Sequence, residues 1–150
     1  MKQFNFLSQI FKAGLLFGIL LVSGIIVGRA QSAPTYNGGR NQLLNVCQNS
    51  SGNSLNALLA VTDADAGNTL TWTATLAPSH GSLNLVGTSI STGGSVTPTG
   101  KSYTPAPGYT GTDVFTIQIA DGTGGTALTT VSVTVKPLPA AIGGTRMLCH

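Results

Sequence analysis

The sequence predicts an all-β chain: an antiparallel two-layer sandwich of about seven strands, preceded by a signal-peptide helix. Three observations carry this. Past residue 33 apolar side chains alternate with threonine at period two, the pattern of a half-buried strand. Clusters of Gly, Pro, Asn and Ser separate these stretches and supply turn geometry. Between them lies no amphipathic helical stretch of the kind that would connect parallel strands.

The leader comes first. Residues 1–12 carry Lys2 and Lys12 and no acid, and an uncharged apolar run of 16 residues, 13–28, follows. A basic start, a short apolar stretch and small residues before a cut are the grammar of a secretory signal peptide. A bilayer core of about 30 Å takes roughly 20 apolar residues to span. The run is therefore short for an anchor, and Gly14, Gly18 and Gly24 weaken it as a permanent helix. An uncleaved anchor is the alternative. Gly28 and Ala30 stand at −3 and −1 of a cut after Ala30. This gives a signal peptide over 1–30, the sandwich over 31–139, and a segment 140–150 that reads as the truncated start of a second unit.

The strands follow in order. Weaker candidates are 43–48 and 55–62, the latter with one helical turn over 55–60 as an alternative. The clearest is 69–77, with Leu70, Trp72, Ala74 and Leu76 expected inward and threonines outward, as β-branched polar residues suit a solvated pleated face. Short strands are expected over 82–86 and 101–104. Long ones cover 112–120, with Phe115, Ile117 and Ile119 inward, and 126–136, with Ala127, Val131, Val133 and Val135 inward. Residues 121–125, Asp-Gly-Thr-Gly-Gly, join those two as a hairpin loop. Tyr109, just before a strand, is a candidate tyrosine corner.

Composition narrows the function. Of 150 residues 41% are hydrophobic and 7% charged, with no Glu, which leaves little material for acid–base chemistry and argues against an enzyme. The formal charge of +3 belongs to the leader: beyond it Arg40, Lys101, Lys136 and Arg146 balance Asp63, Asp65, Asp113 and Asp121, so no basic patch invites nucleic acid. A membrane enters only through an uncleaved leader. Export permits disulfides. Yet Cys47 and Cys149 follow similar Gly-Gly segments, 38–39 and 143–144, as equivalent positions of successive units would, so no bridge between them is expected.

A set of motifs in fixed order, Val61-Thr62-Asp63-Ala64-Asp65-Ala66-Gly67, Tyr103-Thr104-Pro105, Gly108-Tyr109-Thr110-Gly111-Thr112-Asp113-Val114-Phe115, Ala120-Asp121-Gly122 and Val131-Ser132-Val133-Thr134-Val135, resembles the cadherin-like and immunoglobulin-like repeats of large bacterial surface and secreted proteins. The resemblance covers roughly residues 35–139. It implies an immunoglobulin/cadherin-like sandwich at the cell surface or secreted, a non-enzymatic spacer, stalk or adhesive arm whose partners are neighbouring repeats of the same polypeptide. A recognition module for a surface glycan or protein is the rival.

No cofactor is required by this pattern, and calcium is the one it admits. All four acids beyond the leader lie at or beside expected turns, and an extended Asp63–Asp65 would point two carboxylates the same way, which a hard cation would neutralise. The resemblance adds Asp121, since some such repeats hold calcium at junctions, so Asp63, Asp65 and Asp121 are the candidate ligands. The competing reading is that each Asp hydrogen-bonds its own turn. His80, in Pro78-Ser79-His80-Gly81, is a solvated loop histidine and not part of a triad, because no Gly-x-Ser-x-Gly elbow is present. Thr99-Gly100-Lys101-Ser102 imitates the end of a phosphate-binding loop, but Ser95 stands where the first Gly belongs and Tyr103-Thr104-Pro105 follows where a helix should start. Cys47 has no second Cys or His at zinc spacing. Tyr36, Tyr103 and Tyr109 flank loops and are the aromatics a sugar would stack on, with corner packing as their alternative role.

Overall fold

The computed structural model describes residues 31–139, so the signal peptide, its cut, the segment 140–150 and Cys149 lie outside the described residues. Eleven strands run in order: β1 (Thr35–Tyr36), β2 (Asn41–Cys47), β3 (Asn53–Ser54), β4 (Val61–Thr62), β5 (Thr69–Leu76), β6 (Gly81–Asn84), β7 (Ser89–Ile90), β8 (Ser95–Val96), β9 (Ser102–Pro105), β10 (Gly111–Ala120) and β11 (Thr126–Lys136). Each stretch expected as a strand has its counterpart except 55–62, of which only Val61–Thr62 is strand. The additional ones, β1, β3, β7 and β8, are two-residue pairings too short to leave a period in the sequence.

One layer is the sheet β2-β11-β10-β5-β7, and the other is built from β3-β9-β6 and β1-β4-β8. β3 and β4 are separated by the helical turn that was the alternative over 55–60: the Leu59 amide donates to the Leu55 carbonyl at 2.9 Å. That turn has a use, because the Trp72 indole N–H donates to the Leu59 carbonyl at 3.1 Å. β10 and β11 pair antiparallel along their whole length around the 121–125 loop, where Gly122 and Gly124 take positive φ at no steric cost. The pairing of β2 with β11 is parallel, correcting the purely antiparallel expectation. Period-two alternation looks the same in either direction, so the pattern carried no information on this point.

Phe115, Ile117, Ile119, Val131, Val133 and Val135 from one layer meet Leu55, Leu59, Val61 and Tyr103 from the other in a single buried cluster, with the Tyr103 and Phe115 rings stacked at 5.7 Å between centroids. Each such side chain contributes roughly 1.5–3 kcal/mol on full burial. Trp72 is in this core at 2% exposure. Two residues expected inward are not: Ala74 and Leu76 are exposed. A register shift between Thr116 and Ile117 places Leu76 opposite Thr116, and that one slipped residue turns Leu76 over onto the solvent face; Ala74 stands opposite Ile117, before the shift, and the slip does not account for its exposure. Thr129 shows the converse. It shares the inward phase of β11 and is fully buried, its hydroxyl donating to the Gly39 carbonyl at 2.9 Å and accepting from the buried Gln42 amide at 3.0 Å.

Cys47, at the end of β2, is disulfide-bonded, which corrects the expectation of an unbridged thiol.

Candidate functional site

The candidate ligands sit on two turns. Asp63 follows β4 and is 1% exposed; its backbone leaves the extended form and its Oδ1 accepts the Asp65 amide at 3.1 Å, so the two carboxylates do not point together from one strand. The other oxygen, Oδ2, is buried with no hydrogen-bond partner. Asp65 turns to the strap before β1, accepting the Ser32 amide at 2.7 Å and its hydroxyl at 3.1 Å.

Asp121 opens the hairpin loop and is fully buried. Its Oδ1 accepts the Thr123 and Gly125 amides at 2.7 and 2.9 Å, while its Oδ2 is likewise buried and unpartnered. Burial pushes this carboxyl up, but the amides of Thr123, Gly125 and Gly124 outweigh it and hold the group below the ordinary carboxylate range, so it stays ionised. Gly125 is required here, since a Cβ would run into Asp121 Oδ2 and the Ala33 backbone. Among the described residues no group of three or more His, Cys, Asp or Glu side chains lies together as a metal cluster.

The fourth acid, Asp113, does different work. β5 pairs with β10 only from Thr116 to Ala120, so the stretch of β10 before Thr116 loses its neighbour on that side. The Asp113 carboxylate takes the place of the missing strand. Oδ1 accepts the amides of Ser79 and Val114, both at 2.9 Å, and Oδ2 accepts the His80 amide at 3.0 Å and the Tyr103 hydroxyl at 2.9 Å. Four donors satisfy both oxygens of a residue only 6% exposed, and the turn 78–80 is thereby tied to the sheet. Tyr109 finishes the same edge. Its hydroxyl donates to the Thr112 carbonyl, three residues downstream, and its ring stacks on His80 at 4.1 Å between centroids, so it is not a tyrosine corner reaching back upstream.

This construction brings Ser79, His80, Thr112, Asp113, Val114, Ser132, Val133 and Thr134 around an open groove of about 420 Å³. A histidine, an aspartate and serines therefore do share one place. The Asp113 carboxylate is spent on the backbone of the His80 turn and not on its imidazole, so the orientation a triad needs is missing.

Lys101 is the residue the sequence concealed. It is 2% exposed, and its ammonium donates to the carbonyls of Leu85, Val86 and Gly87 at 3.0, 2.7 and 2.5 Å while standing 5.4 Å above the Trp72 ring. Burial pulls it below the ordinary lysine value. It holds a loop, not a phosphate. Of the three tyrosines, Tyr36 and Tyr103 are core residues at 8% and 0% exposure, and Tyr109 alone is partly open.

A family model described as bacterial Ig domain matches residues 32–134. No curated protein and no solved structure matches the chain.

Proposed function

The chain belongs to the bacterial Ig domain family, and from that membership we propose that it is a non-enzymatic structural or adhesive module of an exported protein, a spacer or stalk in line with neighbouring repeats. The observation that supports this is the use made of buried charge. Asp113, Asp121 and Lys101 each close onto loop backbone, so the side chains best able to do chemistry serve instead to fasten loops to the sandwich. A module braced this way keeps its length and shape under load. The leader supplies export.

Calcium is part of the proposal as a stiffener. A buried carboxylate oxygen with no partner is costly, and Asp63 and Asp121 each hold one. These are the two places where a hard cation would be held, completed by carbonyl oxygens or water; Asp65 joins only by releasing Ser32.

A second reading rests on the groove at Ser79. Ser79, Thr112, Ser132 and Thr134 border it together with the exposed His80 and the Asp113 carboxylate, a polar lining that suits a sugar. Thermal unfolding with calcium and with chelator, alongside calorimetric titration with a panel of surface polysaccharides, separates the two. The spacer reading expects calcium to raise the melting temperature and polysaccharide to give no saturable heat. Saturable heat lost in Thr134→Val would instead make the domain a recognition module.

A further inference from the structure

We propose that the outer edge of β2 pairs with the same edge of a second copy of this chain, antiparallel about a two-fold axis at Leu43. β2 ends the five-stranded sheet and is seven residues long, whereas the strand ending that sheet on the other side, β7, has two. The phase of the parallel ladder decides which groups face out. Thr130 donates to the Arg40 carbonyl and Gln48 to the Lys136 carbonyl, both at 2.8 Å, with Asn41 opposite Thr130 and Cys47 opposite Lys136. That phase turns the backbones of Gln42, Leu44 and Val46 toward β11, and it leaves the N–H and C=O groups of Asn41, Leu43 and Asn45 facing outward. Among the described residues no strand covers them.

Edges are ordinarily protected by a charge, a proline or a bulge. β2, Asn-Gln-Leu-Leu-Asn-Val-Cys, has none of these, and Leu43 on it is 78% exposed. The contrast within the molecule is informative: where β5 leaves β10, Asp113 and Tyr109 cap the opened backbone, and among the described residues β2 has no such cap along 41–45. The edge is also complementary to itself. Antiparallel pairing about Leu43 sets Leu43 against its own copy and Asn41 against Asn45 of the other chain, so each outward N–H meets a C=O and the exposed leucines cover one another. Arg40 is the nearest charge. It stands three residues from the axis, so the two copies of it would lie roughly 20 Å apart by strand rise, beyond the screening length of about 8 Å at physiological salt.

A single strand pair buries less than a standard interface, so the dimer is weak, with Kd of roughly 10 µM to 1 mM. It becomes effective where copies are held side by side and local concentration is high. The test uses the full chain, expressed with its leader and purified as the cell processes it. Sedimentation velocity over rising concentration should show monomer passing to dimer. The Leu43 and Asn45 amides should become protected from hydrogen exchange in step.

Leu43→Lys should weaken association at least tenfold. Asn45→Pro, which removes an outward N–H that an edge strand can spare, should do the same, and neither should lower the melting temperature by much. A chain that stays monomeric to about 1 mM overturns the proposal. So does concentration-independent protection of those amides, which would mean that another part of the same chain covers the edge. A dimer unaffected by both substitutions overturns it as well.

Discussion

Replacing Asp113 by Asn changes one atom and should cost far more than a surface substitution. The carboxylate accepts four hydrogen bonds, two on each oxygen, from the amides of Ser79, His80 and Val114 and from the Tyr103 hydroxyl. An amide has one oxygen. Turned one way, its NH₂ faces the Ser79 and Val114 amides, neither of which it can accept; turned the other, it faces the His80 amide, which it cannot accept, and the Tyr103 hydroxyl, which can turn to accept from it and donate to the His80 carbonyl 3.4 Å away. Each buried donor left unmet costs about 1–3 kcal/mol, and the better orientation leaves one, so Asp113→Asn should destabilise by about 1–3 kcal/mol.

Urea unfolding followed by the emission of Trp72, the single tryptophan, reads this directly. With a slope of about 2 kcal/mol/M, the midpoint should fall by roughly 0.5–1.5 M at unchanged slope. Tyr103→Phe should cost less, about 1 kcal/mol, because it removes a donor and leaves Oδ2 with the His80 amide. The double variant should show coupling of at least about 0.5 kcal/mol. A midpoint shift below roughly 0.3 M for Asp113→Asn would mean that the carboxylate does not brace the β10 edge.

Trp72→Ala should cost about 3–5 kcal/mol by the same measurement, because the ring is 2% exposed and its N–H meets the Leu59 carbonyl; a loss below about 1 kcal/mol would contradict its place in the core. Lys101→Met keeps the buried stem but frees the carbonyls of Leu85, Val86 and Gly87, so limited proteolysis should cut near Val86 faster than in the parent, and an unchanged digestion would contradict the clamp. Burial holds the Tyr36 and Tyr103 hydroxyls above the ordinary tyrosine value, with Asp113 adding to the rise for Tyr103. The folded chain therefore keeps protons that the unfolded chain releases. That contribution is intact below pH of about 10 and declines above it by about 1.4 kcal/mol per pH unit for each tyrosine. Urea midpoints across that range should fall more gently in Tyr103→Phe, and a flat profile would contradict the burial of both hydroxyls.

The strands that form the core were legible because their signal is local. Thr-Leu-Thr-Trp and Phe-Thr-Ile-Gln-Ile announce a half-buried pleat whatever their partners are. Properties of pairs were not legible. Whether β2 runs with or against β11 leaves no mark on either strand, and the shift that exposes Leu76 is a fact of register between β5 and β10. The same limit applies to the charged residues. That Asp121 caps its own loop could be expected, because its acceptors are satisfied two and four residues on. Asp113 meets amides 33 and 34 residues away, and Lys101 meets carbonyls 14 to 16 residues away, so neither role could be read without the fold. Asp113 stood out in sequence as one acid among four beside a turn. Lys101 resembled the end of a phosphate loop, and it is the topology that turns it inward.

Buried charge fastens the loops of this sandwich as firmly as strand pairing fastens its sheets. Native-state hydrogen exchange measures that residue by residue, through the amides of Ser79, His80, Thr123 and Gly125, which have carboxylate oxygens as acceptors. These four should exchange only through the same global opening as Ile117 and Val133 in the core strands. Exchange of the loop amides orders of magnitude faster than those two, at the rates of free peptide, would contradict it.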